Sequence, residues 1–319
     1  MKIVSFLPAA TEIVYTLGLE DALVGITHEC DHPSGVREKP VVVRSAVPYP
    51  DEDPGTIDRL VKERFATGRS LYLVDEALFG ALAPDLLLTQ ELCQVCAPSG
   101  NEVSALLRGL ERPPEVLYFS PHSIEGIFAN VLALGEVAGR TAAATAWIEA
   151  ANARLERVRK AVAGAPRPRV ACLEWLDPLF ASGHWIPEQV EIAGGEEGWG
   201  RAGAKSRERP FESILAFDPE VIFLMPCGLP AGVALSQAPL LLDREGASEI
   251  AAVREGRVYA VDGQAYFARP GPRVVEGTEL LAHLLHPERL PWTGPADAYL
   301  PVSPARAPSR SPSLPPRTP

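Results

Sequence analysis

No stretch of this chain holds the ~18 consecutive apolar residues that a membrane-crossing helix requires, so no transmembrane span is expected. Positive charge is scarce: 30 Lys and Arg against 41 Asp and Glu leave a formal net charge of −11. Such a chain repels nucleic-acid phosphates and anionic lipid headgroups, which makes both poor partners. Cysteines number only five (Cys30, Cys93, Cys96, Cys172 and Cys227), and an odd count argues against a disulfide framework. There is no G-x-S-x-G nucleophile elbow and no Walker phosphate loop. A secretory leader is missing as well, because Lys2 to Leu7 reads at once as a buried strand and Pro8 ends it. The expectation is a cytoplasmic chain as written, or a periplasmic or extracellular one if the start lies elsewhere.

What is present is a core-forming composition, 46% apolar over 319 residues. That length suits two lobes of roughly 100–150 residues each. Short apolar runs (Ile3 to Leu7, Leu23 to Thr27, Val41 to Val43, Leu86 to Thr89, Val116 to Phe119) alternate with helical stretches. A second series follows at Val170 to Glu174, Val221 to Met225 and Val258 to Val261, closed by a helix from Pro272 to Leu285. This rhythm predicts an α/β fold with mainly parallel sheets covered by helices. Residues 123–162 are rich in Ala, Leu, Glu and Arg and hold no proline. They predict a long helix over 123–164, with Gly135 to Gly139 the place for a joint. The organisation is therefore an N-terminal lobe over 1–122, a connecting helix, a C-terminal lobe over 165–295, and a ligand cleft between the lobes. A helical connector permits only a small closing motion. Residues 296–319 turn to Pro, Ala, Ser and Arg and are expected to form a disordered tail. The chain is read as a monomer.

In an open parallel sheet, ligands bind beyond the carboxyl ends of the strands. Three polar segments fall there: His28 to His32, Gln90 to Cys96, and Ser120 to His122. Residues two apart in extended chain share a side. His28, Cys30 and His32 can therefore line one face, where Cys93 and Cys96 can meet them. Four nitrogen and sulfur ligands suit zinc or iron, which makes His28, Cys30, Cys93 and Cys96 a candidate metal set. The plainer reading makes the cysteines small core residues and His28 a turn residue. A cytosolic thiol-redox use is a further alternative, since Ser99 to Leu110 reads as a helix opening just behind Cys96. In the second lobe, Trp175, Phe180, His184 and Trp185 follow a strand and suit a large flat ligand, or else ordinary packing. Arg269, before the closing helix, is placed to bind an anionic ligand group or to pair with a nearby carboxylate.

Ser5-Phe6-Leu7-Pro8-Ala9-Ala10-Thr11-Glu12 followed by Leu17-Gly18-Leu19 resembles the opening of the substrate-binding proteins of iron-siderophore and vitamin B12 ABC importers. Val24 to Thr27 with Cys30, Asp31 and Pro33 continues the likeness, as do Leu82 to Leu87, Phe180 to Gly183, Ala193 to Gly195 and Arg269 to Arg273. Within that family the cobalamin-binding members are most similar. The resemblance implies a non-enzymatic protein with two α/β lobes joined by one long helix. It implies a corrinoid or related metal chelate as ligand, no required cofactor, and delivery to an ABC permease. By the same resemblance Phe180 matches an aromatic that contacts the corrinoid, and Tyr266 stands where a cleft tryptophan occurs. Glu212 matches a glutamate that docks on permease arginines; Glu76 is its nearest first-lobe counterpart, one residue out of register. His32 stands where the family often has tyrosine. With the residue reading, the expected ligand-binding set is Pro8, His28, Glu29, Cys30, His32, Trp175, Phe180, His184, Trp185, Tyr266, Phe267 and Arg269.

Overall fold

Branched and apolar residues crowd the first strand, and the pleat sends them alternately to two faces. Ile3 packs into one core and Val4 into another; Leu86 and Leu88 join the first, Leu87 the second. Both faces of the sheet are dry, so its strands read as unbroken apolar runs rather than alternating ones. The computed structural model describes residues 1–47, 53–90 and 101–303. In the first lobe, strands β1 (Ile3–Ser5), β2 (Leu23–Thr27), β3 (Val41–Ser45), β4 (Tyr72–Val74), β5 (Leu86–Thr89) and β6 (Glu115–Tyr118) form one sheet. Its order is β4-β3-β2-β1-β5-β6, and only the β3–β4 pairing is antiparallel. Helix α1 (Pro8–Thr16) covers one face, and α2 (Pro54–Ala66), α3 (Glu76–Leu82) and α4 (Asn101–Arg108) supply the other. Helix α1 begins at Pro8, whose missing N–H costs nothing in a first turn.

The second lobe repeats the scheme. Along β7 (Arg169–Leu176), Val170 and Cys172 enter one core while Ala171 and Leu173 enter the other. Strands β8 (Leu179–Ala181), β9 (Glu196–Glu197), β10 (Arg207–Glu208), β11 (Val221–Leu224), β12 (Val258–Val261) and β13 (Tyr299–Pro301) complete its sheet. The order is β10-β8-β7-β11-β12-β13, with β9 beside the start of β7. Helix α7 (Ile186–Ile192) and the closing helix Val274–Leu285 lie on one face, α8 (Phe211–Phe217) on the other. The lobe runs past 295, because β13 pairs antiparallel with β12. The expected tail boundary at 296 is corrected accordingly, and residues 304–319 lie outside the described part.

The connector also differs from a single helix over 123–164. It is α5 (Ile124–Val137) followed, after a turn at 138–140, by the long helix α6 (Thr141–Val162). Ile124, Ile127 and Phe128 of α5 sit in the second lobe's core with Ala151, Leu155 and Val158 of α6. Val131 and Leu134 sit in the first lobe's core with Ala144. The two helices thus run antiparallel, and each reaches into both lobes. None of the helices in the described residues is long and apolar enough to cross a membrane.

Candidate ligand cleft between the lobes

Residues that follow the carboxyl ends of one sheet meet those that follow the ends of the other. Trp175, near the end of β7, donates its indole N–H to the Pro54 carbonyl at 3.3 Å and to the Asp177 carbonyl at 3.1 Å. Asp31, beyond β2, accepts from Gln264 and Arg269, beyond β12. The strand ends therefore face one another across a junction, the position the fold class predicts for a ligand.

The aromatic wall of this cleft comes from β7 and β8. Trp175 and Phe180 are direct cross-strand partners, so their side chains stand on one face, and both are half-buried. Their signal in the sequence was an aromatic on each arm of a tight Asp-Pro hairpin. Trp185 is a correction. It is 3% exposed, its indole N–H donates to the Phe267 carbonyl at 3.0 Å, and it belongs to the second lobe's core. Tyr266 and Phe267 are buried in that same core, Tyr266 edge-on to Trp292. Its place after a strand put Trp185 in the expected ligand set, and the resemblance put Tyr266 and Phe267 there; in the structure all three pack in the second lobe's core. Pro8 is buried as the first residue of α1, at the point between β1 and β5 where the strand order reverses.

Arg269 is not available to a ligand either. Its guanidinium contacts Asp31 and Glu12 and donates to the Glu29 carbonyl at 2.8 Å. Arg273 donates to both oxygens of Glu12, at 3.0 and 2.6 Å. Glu12 and Arg269 are 3% and 8% exposed. These residues form an ion cluster that ties α1 and the β2 loop to the second lobe.

Of the proposed metal set, the described members His28 and Cys30 are engaged elsewhere. The Cys30 sulfur lies 3.1 Å from the Thr11 hydroxyl inside the first lobe's core, and burial pushes its thiol up to about 12. A thiol held protonated is the wrong form for a metal or a redox step. Cys93 and Cys96 lie outside the described residues. His28 keeps Nδ1 near the Thr27 hydroxyl and the Val43 carbonyl, and its other nitrogen is 3.9 Å from Glu29. Partial withdrawal from water raises the Glu29 carboxyl, against the pull of His28 and Arg269. His32 is exposed on the loop, and desolvation and Arg273 lower its pKa. The run His28-Glu29-Cys30-Asp31-His32 also spells H-E-x-x-H. That motif needs a helix to set both imidazoles on one face, and here the segment is a turn and loop. Among the described residues no group of three or more His, Cys, Asp and Glu side chains is set to hold a metal. Gly198, Gly200 and Gly203 likewise have G-x-G-x-x-G spacing, but no helix opens there to receive a phosphate.

His184 follows β8, which runs back antiparallel along β7. It adopts a left-handed backbone (φ 50°), and Gly183 before it lies so close to 204–206 that a β-carbon would meet the Ala204 carbonyl at 2.4 Å. Burial, then His122, lowers its imidazole to about 4, so it is neutral at physiological pH. Glu76 and Glu212 are both exposed, each in the first turn of a short helix, one in each lobe.

Two helix-covered, mainly parallel sheets with opposed strand ends define a two-lobed binding protein. The chain belongs to the periplasmic binding protein family, whose model matches residues 3–265. It is 24% identical over 300 residues to YvrC, an ABC transporter substrate-binding lipoprotein of Bacillus subtilis, covering 90% of this chain and 80% of that one. It is 22% identical over 280 residues to the vitamin B12-binding protein of Vibrio cholerae, covering 87% and 86%. A periplasmic haem-binding protein of Pseudomonas aeruginosa shares the fold, with a TM-score of 0.70 at 20% identity over 95% of this chain and 98% of that one. The chain is thus a substrate-binding component of an ABC importer, not an enzyme. The cytoplasmic expectation is overturned: the family is periplasmic, and the Bacillus relative is a lipoprotein.

Proposed function

We propose that the cleft binds a flat metal chelate, a corrinoid first among them, and that the loaded protein docks on its permease through Glu76 and Glu212. The paired aromatics Trp175 and Phe180 carry this reading, since two half-buried rings on one face suit a broad conjugated ligand at low entropic cost. The names of the relatives, vitamin B12-binding and haem-binding, support the same ligand class. An exposed carboxylate on each lobe suits docking on a basic surface, where charge sets orientation and on-rate. Titration with cyanocobalamin, cobinamide and haemin, followed by absorbance and calorimetry, tests it. Saturable binding of one of them is expected, weakened about tenfold or more, or ~1.4 kcal/mol, by Trp175→Ala or Phe180→Ala. Glu212→Ala should leave that affinity unchanged and reduce transport. No saturable binding of any of the three would remove this ligand class.

A further inference from the structure

A groove of about 670 Å³ runs along the second lobe, lined by His122, His184, Glu188, Glu191, Glu196 and Glu197 among others. Arg167 is its one cation, and its guanidinium donates to the Gly195 carbonyl at 2.8 Å. The balance is electronegative and suits a cation.

His122 stands on the segment that crosses from Phe119 in the first lobe's core to Ile124 in the second's, and its ring centre lies 5.5 Å from that of His184, tilted 42°. With metal–nitrogen bonds of about 2.0–2.1 Å, two imidazoles on one tetrahedral ion hold their ring centres roughly 5 Å apart. His184 is aimed by its backbone: its N–H donates to the Ala204 carbonyl at 2.6 Å, and its carbonyl accepts from Gly203 at 2.9 Å. A left-handed conformation at a non-glycine residue is strained and is kept where a side chain must be held in place. Its Nδ1 is buried and makes no hydrogen bond. The imidazole is held neutral, the form whose lone pair a metal takes.

We propose that His122 and His184 together bind a divalent transition-metal ion at the lobe junction, with water completing its coordination. Two histidines make this a weaker site than a closed four-ligand one, and the ion clips the crossing segment to the loop after β8. The site is separate from the chelate site at Trp175 and Phe180, and its test needs no chelate.

The native full chain is titrated with Ni²⁺ and Zn²⁺ by calorimetry, and with Co²⁺ by absorption. One equivalent is expected to disappear in His122→Ala and in His184→Ala, while the Co²⁺ spectrum lacks thiolate charge-transfer bands. The ion should raise the thermal midpoint of the native chain and not that of either variant. His122 is exposed, so its replacement should leave the fold intact, which circular dichroism checks. Absence of binding, equal binding by native chain and both variants, or a thiolate spectrum would overturn the proposal.

Discussion

Glu197 accepts the Gly200 N–H with both carboxylate oxygens, at 2.9 and 2.7 Å, yet burial still raises its pKa to about 7. The unfolded chain titrates near 4.5. Between those values the folded protein holds the proton and the unfolded chain does not, so stability falls as pH rises through this window. At ~1.4 kcal/mol per unit the loss is about 2 to 3 kcal/mol by pH 7.5. Glu197→Gln keeps a carbonyl acceptor and removes the titration. Urea midpoints at pH 4.5 and 7.5 should therefore diverge for the native chain and stay level, by comparison, for the variant; parallel profiles would mean the carboxyl is solvated. Residue types alone showed where aromatics gather but not which face they take. Trp175 and Trp185 look equivalent in sequence, and only the Trp185 bond to Phe267, against the Trp175 bond to Pro54, separates core from cleft. Cys30 invited a metal reading by spacing with His28 and His32, whereas its depth beside Thr11 is set by α1, which no local pattern reveals.

The strands that were legible are the buried parallel ones, where three or more apolar residues cluster, and Leu23–Thr27, Leu86–Thr89 and Val258–Val261 appear at the expected bounds. Those missed, β4, β8, β9, β10 and β13, are edge or hairpin strands of two or three residues, too short to show a period. One of them, β8, sets Phe180 against Trp175. The helical hairpin was half-legible, since Gly135 to Gly139 marked a joint but not a reversal. Its closeness depends on Gly135, where a β-carbon would meet that of Ala144 at 2.6 Å and the Arg140 carbonyl at 3.3 Å. Gly135→Ala must separate α5 from α6, and overpacking of this kind costs about 1–3 kcal/mol. A clear drop in thermal midpoint is expected. An unchanged or raised midpoint, as helix propensity alone would give, would show that the helices have room to part.

Across the whole molecule, two devices set how the lobes sit. The α5–α6 pair spans both cores, and the cluster of Glu12, Asp31, Arg269 and Arg273 ties the lobes together through side chains. Two carboxylates and two guanidiniums make the cluster neutral as a unit, which is what allows Glu12 to be buried at 3% exposure. Intact, such a cluster adds little net stability, because desolvation offsets attraction. Its effect is specificity, since any rotation of one lobe would strand a charge. Glu12→Gln leaves Arg269 and Arg273 facing only Asp31, and breaking a buried pair by removing one partner costs about 3–5 kcal/mol. Part of that strain is relieved if the lobes move apart and let water reach the arginines. The variant should therefore unfold at lower urea and scatter X-rays as a more extended particle than the native chain, whose profile should change little on ligand binding. A variant with native stability and an identical scattering profile would show that the helix pair alone holds the lobes.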